Sequence, residues 1–537
     1  MYKLKNIVSL LLLGLILTAC GSSAIILTPV ENINNSPIKF NTLTEDEKEN
    51  WMHLDLVRDT LPGMSVDKAY EELIKNRKGK KTIVAVLDSG IDIRHEDLND
   101  VIWKNKNEVP NNGKDDDSNG YVDDVNGWNF LGDAYDEQLE FVRLIVSGDK
   151  SNPRFEEANR EYESEYQKFS GLKTQYDQIW QRFDSADKAI QKLLYVDEYT
   201  QDELNSIKTD DQSLQQSVSV MKFVMSNGFA TNVKARKEIK SGMNSIYERL
   251  NYNLNKTFKG RTTGDDPDDF TQLVYGDHIV LPKKPEESHG THVAGVIAAE
   301  RDNNRGMKGV ANNVLIMPVR VVPNGDEYDK DVSLAIRYAV DNGAHIINTS
   351  FGKSYSPHSQ KVRDAIVYAA ENDVLIVNAA GNDKEDLDVK NSFPNDAING
   401  SAEVSDNFIS VGALSPKTGS SMVADFSNYG KREVDIFAPG YDIYSPQPEN
   451  GYDFISGTSF AAPAVAGVAA LIKSQYPKLS AKEIKEIILE SGVKLTDKVV
   501  VGGDSNNTKP FNELSKTGKI VNAYNALLLA SKKAALE

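Results

Sequence analysis

Five short apolar runs, each rich in β-branched residues, are the feature that most constrains the fold of this 537-residue chain. Stretches with helical apolar periodicity, such as 331–343 and 359–373, lie between several of these runs. Because parallel strands need crossover connections, strands that alternate with helices predict a mostly parallel α/β sheet flanked by helices. In such sheets, functional residues gather where the strands end. The predicted strand segments are 82–90, 314–322, 344–352, 373–382 and 408–414.

Residues 131–256 have a different composition, rich in Glu, Lys, Gln, Asn and Tyr, with long stretches almost free of Gly and Pro. Their scattered apolar residues predict amphipathic helices near 154–195, 201–226 and 232–257. A partner-binding arm, a lid, a spacer and a packed helical hairpin without chemistry all fit this pattern. The segment is therefore predicted to be a helical insertion within one larger domain. The predicted division is 51–130, 131–256 and 257–537.

The net charge limits the possible binding partners, and the single cysteine limits the possible cross-links. Asp and Glu number 79 against 61 Lys and Arg, which gives a net charge of −18. Nucleic-acid binding requires a basic surface, so no nucleic-acid partner is expected. The acidic surplus suits solubility and the binding of divalent cations. Cys20 is the only cysteine, which excludes an intramolecular disulfide.

The N-terminus predicts export and attachment to a membrane. Two lysines in residues 1–6 precede an apolar run at 7–17, which has the length of a signal-peptide core and is short for a membrane span. The sequence LTAC at 17–20 resembles the bacterial lipobox, in which the cysteine is lipidated and becomes the first residue after cleavage. A lipid anchor on Cys20 in a bacterial cell envelope (outer membrane, periplasm or cell surface) is therefore expected; an ordinary signal peptide with a chance cysteine is the alternative. The predicted bounds are 1–19 for the signal peptide and 20–50 for a lipidated tether.

A serine stands at the start of a predicted buried helix. The sequence SGTSFAAP at 456–463 leads into an apolar run rich in Ala and Gly. The hydroxyl of Ser459 would lie near the positive end of that helix and beside free backbone N–H groups, which help to stabilise a developing oxyanion. An ordinary N-cap role is the alternative.

A nucleophilic serine needs a base, and the base needs a carboxylate. His289, in SHGTHVAG at 288–295, is nearer the polar side of its segment than His292. It could present one ring nitrogen to a site while a carboxylate holds the other. The pair lacks the Glu of the zinc motif His-Glu-x-x-His, which disfavours zinc. Asp88 follows the apolar run IVAVL, where a charge is costly to bury without a partner, although an Asp turn at a strand end is common.

Three blocks of sequence together resemble the signatures of the subtilase family: DSGID at 88–92, HGTHVAG at 289–295 and GTSFAAP at 457–463. They occur in the Asp, His, Ser order of subtilisin. The resemblance implies a serine endopeptidase that works through an acyl-enzyme, in which Asp88 orients His289, His289 shuttles the proton and Ser459 attacks. An inactive protease-fold lipoprotein acting as a binding or scaffold protein is the alternative.

The resemblance also implies the residues that surround such a triad. Asn382 matches the side-chain donor of the oxyanion hole. One segment would pair with the backbone of a peptide or protein substrate by strand addition, and a second would line the pocket for the residue before the cut. Phe351 replaces a smaller aliphatic residue that is frequent in the family. The substrate-binding residues implied are Ser350, Phe351, Gly352, Ala379, Ala380 and Gly381.

Two loops are candidates for structural calcium. The sequence from Asp115 to Asp123 has oxygen ligands at positions 1, 3, 5 and 9 of an EF-hand-like pattern and Gly at position 6. Position 12 is Asn126 instead of the bidentate Glu, so a complete EF-hand is not expected. The resemblance to subtilases implies a second site at Asp97 and the loop 300–307. The predicted ligands are Asp97, Asn303, Asp115, Asp117, Asn119, Tyr121 (through its carbonyl) and Asp123.

Overall fold

A computed structural model of the chain describes residues 29–30, 39, 42–397 and 400–535. The predicted signal peptide and the predicted lipidation of Cys20 lie outside the described residues. Among the helices of the described part, none is long and apolar enough to span a bilayer.

A parallel sheet forms the centre of the fold. In the described residues it has nine strands, in the order β10-β13-β7-β6-β5-β4-β1-β3-β2. Every neighbouring pair is parallel except β10–β13. The prediction of a mostly parallel α/β sheet is therefore confirmed. The strands are β1 (Thr82–Asp88), β2 (Trp128–Asn129), β3 (Val314–Arg320), β4 (Ile346–Thr349), β5 (Leu375–Ala379), β6 (Phe408–Leu414), β7 (Ile436–Pro439), β8 (Ile443–Gln447), β9 (Gly451–Ile455), β10 (Val493–Lys494), β11 (Lys498–Val501), β12 (Asp504–Pro510) and β13 (Lys519–Ile520).

Helices cover both faces of this sheet. Successive side chains of each strand point to opposite faces, and both faces are buried. Val84 and Val86 of β1 belong to a core with α8 and α11, whereas Ala85 and Leu87 belong to a second core with α9 and α10. The helices are α1 (Glu45–Asn50), α2 (Val66–Ala69), α3 (Glu140–Ser147), α4 (Phe155–Leu194), α5 (Gln201–Ser206), α6 (Gln212–Met225), α7 (Asn232–Glu248), α8 (His289–Ala298), α9 (Asp329–Asp341), α10 (Ser359–Glu371), α11 (Thr458–Gln475), α12 (Ala481–Ser491) and α13 (Ala523–Ala534).

Helices α3 to α7 lie within residues 131–256, the predicted insertion, and the strands of the described sheet lie outside this range; the residues outside it are called the α/β body below. The longest helix, α4, has 40 residues and therefore extends about 60 Å. Helix α7 runs back along it. Arg236, near its start, pairs with Asp187 at 2.6 Å and Asp184 at 2.8 Å, and Arg249, just after its end, pairs with Glu165 at 3.3 Å. The insertion also buries an apolar core of its own. Its members include Phe183, Ala186, Ile190, Met221 and Met225.

The structure adds elements that the sequence patterns did not predict. Helix α3 precedes the first predicted helical segment, and a break at 207–211 divides the second segment into α5 and α6. Part of the predicted tether is ordered: α1 carries a capping box from Thr44, and the backbone N–H and carbonyl of Val30 pair with the side chain of Asn525 at 2.7 and 2.9 Å.

Candidate active site

A carboxylate and an imidazole meet at the carboxyl end of β1. Asp88 is the last residue of this strand and is fully buried. Its Oδ1 accepts a hydrogen bond from Nδ1 of His289 at 2.7 Å and another from the backbone N–H of Ser89 at 2.7 Å. Because His289 is the first residue of α8, the strand end and the helix start together fix the orientation of the ring.

The environment of His289 favours its protonated form. Burial lowers the pKa of His289, but the charge and the hydrogen bond of Asp88 raise it by more, so that the pKa lies above its usual value of 6.5. The side chain is nevertheless 38% exposed, and its second nitrogen has no hydrogen-bond partner within the described residues. The ring can therefore exchange a proton with a molecule in the cleft.

His292 has a different environment from His289. It is fully buried against Phe460, and its Nδ1 accepts a hydrogen bond from the Gln447 amide at 2.7 Å. Burial, with the neighbouring His289 charge, lowers the pKa of His292 to about 3. This histidine is therefore neutral and structural, and of these two histidines it is His289 that contacts a carboxylate.

Ser459 lies at the start of α11 but does not cap it. The N-cap position belongs to Gly457 and has no side-chain cap, so the N-cap interpretation of this serine is wrong. The hydroxyl of Ser459 donates to the carbonyl of Ser350 at 2.9 Å, and the Ser350 hydroxyl donates back to the Ser459 carbonyl at 2.7 Å. In the described part of the chain, no hydrogen bond joins Ser459 to His289.

Asn382 presents its amide nitrogen to the start of the same helix. Its Oδ1 accepts from the backbone N–H of Thr458 at 2.9 Å and from the Thr458 hydroxyl at 3.0 Å. These two bonds occupy the oxygen and leave the NH₂ group available. Its nitrogen lies 3.6 Å from the point where a Cβ on Gly457 would stand. The structure thus brings Asp88 and His289 into one hydrogen bond, and Asn382 and Ser459 to one helix start.

The predicted substrate segments border this cluster, but Phe351 does not face the cleft. The residue is 8% exposed and its side chain packs in the core with α9 and α10, so little of its ring is available to a substrate. Gly352, in contrast, is exposed. Ala379 and Ala380 are buried, and Gly381 adopts φ +102, where a side chain would be strained.

Comparisons with known proteins identify the family. The family model described as "Subtilase family" matches residues 79–509. This chain belongs to the subtilase family. Its sequence is 39% identical to the cell wall-associated protease of Bacillus subtilis (strain 168), over 41% of this chain and 23% of that protein. It is 41% identical to the thermophilic serine proteinase of Bacillus sp. (strain AK1), over 35% of this chain and 43% of the relative.

Subtilisin DY of Bacillus licheniformis is 37% identical over 40% of this subtilase and 73% of its own length. Among solved structures, proteases from Pseudoalteromonas arctica PAMC 21717 align with a TM-score of 0.45 and 21% identity. That alignment covers 90% of this chain and 97% of the other. This subtilase spans less than half the length of the first two relatives named above.

A buried ion pair behind the site of this subtilase was not predicted. Arg320 ends β3 and is 1% exposed, and its Nε donates to Oε1 of Glu287 at 2.6 Å. The same oxygen accepts the backbone N–H of Gly90 at 2.7 Å. The pair therefore ties the segment before His289 to the loop after Asp88. An arginine at the end of an apolar strand run is the signal that could have revealed it.

One carboxylate cluster in the first calcium loop fits a cation. Ligand oxygens of Glu108, Asp115 and Asp117 lie within 4.8 Å of one another. Glu108 is 6% exposed, and its Oε2 has no partner among the described residues. A buried carboxylate oxygen without a donor is costly unless a cation neutralises it. Sequence reasoning missed Glu108 because it lies outside the motif.

Other predicted ligands of that loop are used differently. The two oxygens of Asp123 accept the backbone N–H groups of Asn112 at 3.0 Å and Gly113 at 2.9 Å. Asn119 directs its amide nitrogen to Asp124 at 3.1 Å. The ring of Tyr121 packs edge-on against aromatic neighbours. Asp123 therefore stabilises the turn at 112–113 with its carboxylate.

Asp97 and Asn303 also meet, but in a way that suits a cation less well. The amide nitrogen of Asn303 donates to Oδ1 of Asp97 at 2.6 Å, while its oxygen accepts the backbone N–H of Arg305 at 3.0 Å. Burial raises the pKa of Asp97, and hydrogen bonds from Asn303 and Met307 oppose that shift. Donors contact both oxygens of this carboxylate, so it has no unpaired oxygen like Oε2 of Glu108, and a cation at Asp97 and Asn303 stays a prediction.

The charge of Asp88 predicts how the titration of His289 responds to mutation. In Asp88→Asn, burial acts on the imidazole unopposed, so the pKa of His289 should fall below its usual value of about 6.5. NMR titration of the ring resonances in wild type and variant measures this shift. His292 is the internal control, because its pKa of about 3 arises mainly from burial. An unchanged His289 pKa in the variant would refute the assignment of Asp88 as its partner.

Proposed function

We propose that this subtilase is a serine endopeptidase that hydrolyses peptide bonds through an acyl-enzyme. The observation that carries the proposal is the hydrogen bond of 2.7 Å between buried Asp88 and His289, beside the helix start that bears Ser459. Membership of the family and the printed names of its relatives, which are proteases, support the same activity. The substrates are peptides or proteins.

The bond between the Ser459 hydroxyl and the Ser350 carbonyl describes the resting enzyme. A substrate backbone N–H that pairs with this carbonyl displaces the hydroxyl, which then turns to the free nitrogen of His289. His289 takes the proton as Ser459 attacks the scissile carbonyl, and Asp88 stabilises the imidazolium that forms. His289 then protonates the leaving amine, and water hydrolyses the acyl-enzyme by the reverse sequence.

The negative charge that develops on the scissile oxygen needs fixed donors. The amide nitrogen of Asn382 is one, because its oxygen is held by Thr458. The backbone N–H of Ser459 is the other, since N–H groups in the first turn of a helix lack intrahelical partners and lie at its positive end. Both donors are in place before substrate binds, so they need no reorganisation during the reaction.

A fluorophosphonate probe tests the nucleophile, because it labels only an activated serine. We expect labelling of residues 21–537 in the wild type and none in Ser459→Ala. Asn382→Ala should retain the fold and lose about 10²–10³ in kcat, a range measured on subtilisin itself. Absence of label in folded wild-type protein would refute the activity and favour the alternative, an inactive protease-fold scaffold.

Calcium, held by Glu108, Asp115 and Asp117, is the structural cofactor in this proposal. The orphaned Oε2 of Glu108 supports it, as does the acidic charge of the loop. A bound ion would neutralise the clustered carboxylates of Glu108, Asp115 and Asp117, and the role proposed for it is stability.

Thermal unfolding with calcium or with EDTA measures this contribution. Binding stabilises the folded state by about 2.7 kcal/mol when free calcium is 100 times its Kd, so the unfolding midpoint should rise. Glu108→Gln should lose most of that rise. Asp116→Asn removes one charge from the same loop outside the cluster and should keep it. Equal losses in the two variants would show that calcium only screens the acidic surface.

Export and anchoring complete the proposal. A signal peptide at 1–19 and lipidation of Cys20 attach the protein to a membrane of a bacterial cell envelope, as the apolar run at 7–17 and the LTAC sequence suggest. Acyl chains contribute about 0.8 kcal/mol per buried CH₂, so several chains on one cysteine give a stable anchor. Binding of a protein partner to 131–256 stays a prediction.

Metabolic labelling with an acyl-chain analogue tests the anchor. We expect the full-length chain to incorporate label and to sediment with membranes, and Cys20→Ser to do neither. Because Cys20 is the only cysteine, thioester labelling elsewhere cannot confuse the result. Membrane association of an unlabelled Cys20→Ser protein would point instead to a retained signal segment.

A further inference from the structure

The free edge beside the nucleophile is short. Gly352 is exposed, and neither its N–H nor its carbonyl has a partner among the described residues. Ser350, two residues earlier, presents its carbonyl to Ser459. Alternate residues of an extended chain direct their main-chain groups to the same side, so these two residues form one pairing edge. Lys353 pairs on the other side, with the backbone of Phe393 at 3.0 and 2.9 Å.

Immediately after Gly352, the insertion covers this segment. Lys353 is 5% exposed, and its Nζ donates to Oε2 of Glu140, on α3, at 2.8 Å. The guanidinium of Arg154, at the start of α4, donates to the carbonyl of Ser354. That carbonyl is two residues beyond Gly352. The insertion therefore occupies the place where a longer paired strand would continue.

Helix α3 also contacts the segment 326–327, which lies across from Lys353. Arg143 of α3 donates to the carbonyl of Asp326 at 2.9 Å and to that of Glu327 at 3.1 Å, and it pairs with Glu140. Lys353 reaches across to the Glu327 carbonyl at 2.7 Å. A continuous set of charged contacts thus spans the two segments at this end, with α3 between them.

The side chains that make these contacts are buried and charged, so they hold α3 firmly in position. Burial raises the pKa of Glu140, but Arg143 and Lys353 outweigh it and hold the pKa at about 2. Separating Glu140 from Arg143 and Lys353 would leave its buried carboxylate unpaired, which is strongly unfavourable. A substrate strand therefore cannot displace α3 at low cost.

We propose that α3 closes the substrate groove at its N-terminal end, so that the enzyme pairs with only about three residues before the cut, opposite Ser350–Gly352. The inference rests on the proposed protease function. Antiparallel pairing, the more stable arrangement, places residues that precede the cut along Gly352 and towards α3. The favoured substrates are peptides whose free N-terminus lies close to the cleaved bond, and a longer N-terminal extension must leave the groove at α3.

A series of peptides of increasing length tests how many residues before the cut the groove accepts, on the lipid-free protein, residues 21–537. The peptides share one cleavage site and one C-terminal side, and carry one to six residues before the cut. We expect kcat/KM to rise up to three residues and then to stay level or fall. A further rise with the fourth or fifth residue overturns the proposal.

Variants in α3 and at the start of α4 show whether α3 limits the number of residues that pair before the cut. The double variant Glu140→Ala, Arg143→Ala removes both members of the α3 ion pair, while Lys353 keeps Asp329 as a partner at 2.9 Å. Arg154→Ala frees the Ser354 carbonyl and also removes the contacts of Arg154 with Glu157 and Tyr355. We expect either one to raise kcat/KM for the five-residue peptide by about tenfold, or 1.4 kcal/mol, relative to the three-residue peptide. Lys188→Ala, in an exposed pair with Asp184 on α4, is the matched control and should change neither value.

Two measurements keep the outcomes distinct. Thermal unfolding confirms that each variant is folded, and if the double variant is not, Arg154→Ala alone decides. Fluorophosphonate labelling of the same preparations reports the activated serine. Labelled enzyme that accepts long N-terminal extensions equally well in wild type and variants refutes the closed groove and leaves the protease function intact. Folded wild-type enzyme that is neither labelled nor active refutes both.

Discussion

The site depends on one interaction, the hydrogen bond between buried Asp88 and His289. Burial of the carboxylate removes competing water, so that its charge acts on the imidazole through a low-dielectric path and raises the histidine pKa against the effect of desolvation. The bond also joins the end of β1 to the start of α8. The Glu287–Arg320 pair reinforces the same junction from behind, because its shared oxygen holds the backbone N–H of Gly90.

Charge also joins the insertion to the α/β body. The insertion has an apolar core of its own, far along α4 and α7. Near the site it contacts the body through an apolar cluster that includes Phe141 and Tyr355, and through ion pairs such as Glu140–Lys353. Such pairs are specific in geometry, since a displaced partner leaves a buried charge behind. The two units therefore keep a defined orientation at the cleft.

Much of the architecture could be predicted from sequence. The apolar runs of β1, β3, β4, β5 and β6 have the periodicity of buried strands, and the resemblance to subtilases located the candidate residues. Phe351 shows the limit: its residue type suggested a role in specificity, whereas alternation along an extended segment turns its ring into the core. Glu108 was missed because it lies outside the motif at 115–123. Glu140 was missed because it pairs with Lys353, which is distant in sequence, and no local pattern records such a contact. The edge strands β2 and β10, and β13 beside β10, have two residues each, too few for a periodic signal.

The position of the insertion has a kinetic consequence. Thr82 of β1 pairs with Val314 of β3, so this strand pair of the sheet joins residues that lie on either side of the whole insertion. Loop-closure entropy grows only with the logarithm of length, so the added segment costs little at equilibrium. During synthesis, however, β1 emerges long before its partner and stays an unpaired apolar strand in the meantime. A helical segment that folds on its own core brings the two strands together sooner than a flexible chain of equal length, and so shortens the period of exposure to aggregation.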